Sequence, residues 1–130
     1  MPRSIVATGE APAAIGPYSQ GVLADGWLFT AGQIGLDPHS GEMVGRTAAE
    51  QARQALANAR AVVAAAGLGL ADVVKVTVFL LDMGEFGAVN EVYRGFFADS
   101  PPARSLVEVS RLPKDALVEV EMIARAPSAR

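Results

Sequence analysis

The sequence predicts an α+β fold: one mixed sheet with two helices packed on one of its faces, as a single domain over residues 1–130. Three observations predict it. Residue patterning runs in the order strand-rich segment, helix, strand, helix, two strands. A capping box opens the long central helix. The last strand alternates cleanly between apolar and charged residues. Hydrophobic residues make up 51% of the chain and charged residues 19%, enough apolar matter for a core and too much for a disordered chain.

Ile5–Ala7 reads as a short strand and Gly9–Gln20 as a loop broken by Pro12, Gly16 and Pro17. Gly21–Ala24 and Trp27–Gln33 flank Asp25-Gly26, a hairpin signal because a type I′ turn needs positive φ at both central residues. Asp37-Pro-His-Ser-Gly41 is a further turn, and His39 within it reads as a solvated turn residue rather than a catalyst. Thr47-Ala-Ala-Glu50 forms the capping box of a helix that runs to about Ala66, with Gly67 as its C-cap. Ala52, Ala55, Leu56, Ala59, Val62, Val63 and Ala66 fall on one side of it, and Gln54 and Asn58 elsewhere.

Val73–Leu81 is a strand by its β-branched content, with Val74, Val76, Val78 and Leu80 as an apolar face. Asp82 is the expected N-cap of a second capping box and helix, reaching Phe97 with a stripe of Phe86, Val89, Tyr93, Phe96 and Phe97. Asn90 is a polar intrusion on that stripe. Ala103–Val109 and Leu117–Ala126 are strands joined by a connection so short that it predicts antiparallel pairing between them. That pairing sets Arg104, Leu106 and Glu108 on the same face as Glu119 and Glu121, away from the helices. A face mixing these residues with Ile123 is too apolar for plain solvent and reads as an oligomer interface holding a pocket.

Several chemistries are excluded early. There is no Cys and only one His, so thiolate nucleophiles, zinc ribbons and His-rich metal sites drop out. Ser19 and Ser105 have no base partner in view, and Gly32, Gly35 and Gly41 lack the spacing of a phosphate loop. A net charge of −3 with no basic run weighs against a nucleic-acid partner. The longest apolar run, 61–71, is far short of the ~20 residues that cross a bilayer. With no signal peptide evident, the expected setting is the cytoplasm.

Arg104 and Glu119 are the candidate reactive pair. An ordinary cross-strand ion pair is one reading. In the other, the planar fork of Arg104 holds a carboxylate while Glu119, partly desolvated, handles a water. Glu119 and Glu121, about 7 Å apart along the strand, read as an edge pair rather than a glycosidase site. Tyr18 sits in a loop where it can cover a core edge or close a pocket.

Specific strings then carry a resemblance: Ala11-Pro-Ala-Ala-Ile-Gly-Pro-Tyr-Ser-Gln-Gly21, Phe29-Thr-Ala-Gly-Gln33, Val76-Thr-Val-Phe-Leu-Leu-Asp82, Pro102-Ala-Arg-Ser-Leu-Val-Glu-Val109, Arg111-Leu-Pro-Lys-Asp115 and Val118-Glu-Val-Glu121. Over nearly all of residues 4–126 the chain resembles the Rid (YjgF-like) family of reactive-intermediate deaminases. The resemblance implies a chorismate-mutase-like fold and a homotrimer whose sheets line a central barrel, with clefts between subunits. It implies hydrolysis of 2-imino acids and their enamine tautomers, such as 2-aminoacrylate, 2-iminopropanoate and 2-iminobutanoate, to 2-keto acids and ammonia. Such intermediates leak from pyridoxal-phosphate enzymes such as threonine and serine dehydratases. No metal or organic cofactor is implied.

By the same resemblance Arg104 binds the substrate carboxylate, Glu119 positions the attacking water, Tyr18 closes the cleft, Asn90 is a cleft residue and Gly32 offers a main-chain contact. Two departures stand out. Leu106 occupies a position where many relatives carry Cys, leaving room there for a main-chain contact only. Ala31 replaces a frequent Ser, which removes a hydroxyl. The resemblance also admits a ligand-binding regulatory trimer without turnover, a ribonuclease acting on translation, and a holdase-like interaction protein.

Overall fold

The computed structural model describes residues 3–127. Six strands form one mixed sheet: β1 (Ser4–Val6), β2 (Gly21–Ala24), β3 (Trp27–Thr30), β4 (Val73–Leu80), β5 (Ala103–Glu108) and β6 (Val118–Arg125), in the order β1-β2-β3-β6-β4-β5. Two helices, α1 (Ala48–Ala65) and α2 (Phe86–Phe96), join the sheet in one core. Only β4 and β5 pair in parallel, and α2 is the crossover that such a pair requires.

Local chemistry sets most of the boundaries. Asp25 (φ 51°) and Gly26 (φ 80°) both occupy the left-handed region, so the β2–β3 hairpin turns as its sequence predicts. Thr47 Oγ1 accepts from the Glu50 amide at 3.1 Å, and the Glu50 carboxylate accepts from the Thr47 amide at 3.2 Å, which completes the capping box. Ala52, Ala55 and Ala59 are fully buried, and their small side chains let α1 lie close against β6. From β6 the core receives Val118, Val120, Met122 and Ala124, the alternate set.

Four expectations are corrected. First, β5 does not pair with β6; β4 lies between them. The 109–117 connection instead spans the end of β4, with the Val109 amide donating to Leu80 O and the Leu81 amide to Leu117 O. Second, a bulge between Val73 and Lys75 turns Val74 outward and buries Val73 in its place. Third, Asp82 caps not α2 but a 3₁₀ turn (Met83–Glu85), accepting from the Gly84 amide at 2.8 Å, and α2 begins after it. Fourth, Asn58 is buried. Its amide donates to Ile34 O (3.1 Å) and Leu36 O (2.9 Å), and so binds the 31–46 segment to α1.

Among the described residues, no helix is long and apolar enough to cross a membrane.

Candidate active site

Glu119 sits at the centre of one cluster of candidate site residues. It lies on β6 opposite Phe79 of β4, on the sheet face away from the helices. Next to it, β3 breaks its regular pairing. Phe29 pairs with Ile123, and Gln33 bridges to Val120, so four chain steps face three and one residue is extra. This bulge carries Ala31 and Gly32 past the Glu119 side chain. A Cβ placed on Gly32 would overlap the carboxylate, with the carboxyl carbon only 2.7 Å away. Glycine at 32 is therefore what lets an ionisable group lie against main chain.

Tyr18 reaches the same place through the 9–20 loop. Gln20, buried, holds that loop: its amide donates to the carbonyls of Thr8, Ala11 and Pro12, and its carbonyl oxygen accepts from the Thr8 amide. The Ala31 amide donates to Gln20 O at 2.8 Å, tying the loop to the bulge. Tyr18, half-exposed, accepts from the Ile15 amide at 3.1 Å. Together Tyr18, Ala31, Gly32 and Glu119 line a cavity of about 470 Å³. Its walls also hold Ile15, Ile34, Leu36 and Pro113, which are apolar, and Lys114. Lys114 and Asp115 are consecutive non-glycine residues with φ 55°, a strained pair at the rim.

The environment of Glu119 favours its neutral form. Burial pushes its carboxyl above the ordinary glutamate value of 4.5, and the neighbouring Glu121 charge pushes it further the same way. A carboxyl whose charged form is disfavoured in this way is suited to accept and return a proton.

Arg104 belongs to a second, separate cluster. It pairs with Val76, whose side chain is in the core, so Arg104 projects from the sheet face that carries the helices. Arg104 and Glu119 therefore lie on opposite faces, which corrects the expectation that they share one. The reason is the pairing: aligned with β4 rather than β6, β5 turns Ala103, Ser105 and Val107 to the far face and Arg104, Leu106 and Glu108 to the near one. Arg104 Nη1 donates to Asn90 Oδ1 at 2.9 Å, and both line a cavity of about 360 Å³. Its guanidinium lies over the rings of Tyr93 (4.6 Å) and Phe86 (5.7 Å). Among the described residues no carboxylate lies within ion-pair distance of it. The simple cross-strand ion pair with Glu119 is thereby removed as a reading.

Leu106, next on the same side of β5, packs against the core and joins neither cluster. His39 is exposed, its amide donating to Asp37 Oδ1, as a turn residue should. Sequence reasoning assigned no site role to Phe86, Tyr93, Ile15 or Lys114. Phe86 and Tyr93 flank Asn90 at helical spacing on the stripe already noted, and this was the signal available.

The family model described as Endoribonuclease L-PSP matches residues 8–126. The chain is a member of the Rid (YjgF-like) family. A Rid-family protein from Yersinia pestis has a solved structure that superposes with a TM-score of 0.93 at 43% identity, covering 96% of this chain and 100% of that one. The structure of Escherichia coli TdcF with bound serine superposes with a TM-score of 0.92 at 46% identity, covering 95% of this chain and 99% of that one. A Bos taurus protein named 2-iminobutanoate/2-iminopropanoate deaminase is 49% identical over 122 residues, 94% of this chain and 89% of its own length. This Rid chain thus has the α+β fold expected of it, and its relatives include proteins named as imine deaminases.

Proposed function

We propose that this Rid protein hydrolyses small reactive 2-imino acids and their enamine tautomers, 2-aminoacrylate, 2-iminopropanoate and 2-iminobutanoate among them, to 2-keto acids and ammonia. The reaction takes place in clefts between copies of the chain, in a cytoplasmic homotrimer whose sheets line a central barrel. The observation that carries this reading is the division of the site. A cation with no acidic partner among the described residues and a desolvated carboxyl face opposite ways on one chain, an arrangement that a second copy would complete. The far sheet face supports assembly, because it leaves Phe29 and Val107 exposed beside Phe79 and Ile123. The names of the relatives support the chemistry.

In this mechanism Arg104 of one copy grips the substrate carboxylate with two parallel hydrogen bonds, and Asn90 fixes its rotation. Glu119 of the next copy orients a water over C2. The water oxygen bonds to C2, one of its protons passes to Glu119, and the C2=N π pair moves onto nitrogen. The carbinolamine nitrogen takes the proton from Glu119 and leaves as ammonia. C2=O forms as the hydroxyl proton passes to solvent. An iminium carbon is electrophilic already, so positioning and one proton shuttle are sufficient. Gly32 and, on the Arg104 side, Leu106 offer their main chain to the substrate, Tyr18 closes the mouth, and Ala31 sets the cleft wall where many relatives carry Ser. No cofactor enters the scheme.

Mixing two inactive variants tests both the chemistry and the division. Arg104→Ala and Glu119→Gln chains, each silent alone, regain activity when refolded together, since about one quarter of the clefts then receive an intact arginine and an intact glutamate. Imine released by a threonine dehydratase is the substrate to follow. No recovery in a mixed oligomer would sink the shared cleft, and native rates in either single variant would sink that residue's role. The bound serine of the TdcF structure favours one rival, a trimer that binds small carboxylates without turnover. It predicts saturable binding of 2-oxobutanoate with no faster imine decay.

A further inference from the structure

Among the described residues, the Arg104 cation is held without an anion. Its neighbours are two aromatic faces and one neutral amide oxygen. A carboxylate there would hold the guanidinium just as firmly but would compete with an incoming carboxylate for the same N–H groups. Ring faces attract the charge and leave the in-plane donors free.

We propose that Tyr93 is a positioning residue, its ring serving as the platform on which Arg104 is oriented to receive a ligand carboxylate. This inference rests on the reading above. Several observations converge on the ring rather than the hydroxyl. Tyr93 is only 6% exposed, on the buried side of α2, so the platform is rigid. Phe97 backs it, with ring centroids 4.9 Å apart. The Tyr93 hydroxyl is buried and has no hydrogen-bond partner among the described residues, so hydrogen bonding does not account for the residue's place. Burial also raises the phenol's pKa above 10.0, more than the adjacent Arg104 charge lowers it, so the ring stays neutral beside the cation as an ordinary tyrosine does. Phe86, 40% exposed, forms the outer wall over the same guanidinium.

The test measures 2-oxobutanoate binding by calorimetry and imine turnover on the intact oligomer. Tyr93→Leu, which keeps bulk and loses the ring face, raises Kd and KM about tenfold and leaves kcat within about twofold, because the platform serves ground and transition states alike. Tyr93→Phe rescues binding to within about threefold of native. Val89→Ala, a core change on the same helix, lowers the melting temperature without moving Kd. Native affinity in Tyr93→Leu overturns the proposal. So does a Tyr93→Phe as weak as Tyr93→Leu, which would make the hydroxyl the contact, or a Val89→Ala that weakens binding equally, which would make the effect merely structural. If Tyr93→Leu does not fold, Phe86→Ala takes its place, with about a threefold rise in Kd expected and native affinity as the overturning result. Arg104→Ala separates the two layers: native binding there removes the carboxylate reading itself, and loss of binding there alongside native Tyr93→Leu removes only the platform.

Discussion

The Glu119 carboxylate lies directly against the α-carbon of Gly32, in the space that any larger residue would fill. The contact joins a strand and a bulge that are 87 positions apart in the chain, by their numbers 32 and 119. It makes the smallest residue at the site the one that fixes where the acid sits.

Gly32→Ala is therefore expected to push the carboxyl aside while leaving the core intact. The expected outcome is a kcat loss on the order of 10²-fold with little change in melting temperature, since small misplacements of a reacting group are costly. Steady-state imine hydrolysis and a thermal melt check it; native kcat would show that the Glu119 position is not critical.

Glu119 also gives a pH dependence whose sign can be worked out. Its folded pKa is raised, so the folded chain binds that proton more tightly than the unfolded chain does. The stabilisation is complete below the ordinary glutamate value of 4.5 and is lost as pH rises through the raised value. Glu119→Gln, which never ionises, should melt higher than native once pH exceeds the raised value, with the advantage shrinking as pH falls toward 4.5. Glu121→Gln removes a charge that raises the Glu119 pKa, so the acid limb of kcat/KM should move to lower pH. Titrated melts and a pH–rate profile measure both; a limb that stays in place would separate Glu121 from the titration.

Asn58 is the hinge pin between α1 and the segment carrying the cavity wall. Asn58→Ala deprives the Ile34 and Leu36 carbonyls of their donor and should cost about 2–3 kcal/mol by denaturant unfolding. KM should rise as well, because Ile34 and Leu36 line the cavity. A loss under half a kcal/mol would mean that water replaces the amide at no cost.

Phe29, half-exposed on the far sheet face, tests assembly. Phe29→Glu should yield a folded single chain by light scattering and circular dichroism, with imine turnover lost because the half-sites separate. A charged variant that stays assembled would place the contact elsewhere.

Much of this fold was legible. The Asp25-Gly26 hairpin, the Thr47 capping box and the alternation of β6 each follow from local chemistry, and each formed as expected. The β5 partner was not legible. Sequence proximity favoured β6, but only the tertiary arrangement reveals that β4 slips between them and that the 109–117 connection steps across its end. A change of partner on an alternating strand exchanges its faces, and that one error moved Arg104 to the wrong side of the sheet. Buried Asn58 was missed for a related reason: a helical wheel identifies a polar side, not a loop that comes to lie on it. The residues around Glu119 were named by resemblance, whereas the bulge that gathers them depends on a register visible only between β3 and β6.

The outward-facing arrangement of Arg104 and Glu119 has a consequence for inheritance and dosage. In the closed ring proposed above every member would lend its cation to one neighbour and its acid to the other. A member defective in both would disable two junctions at once, so a minority of damaged chains would depress output beyond their share.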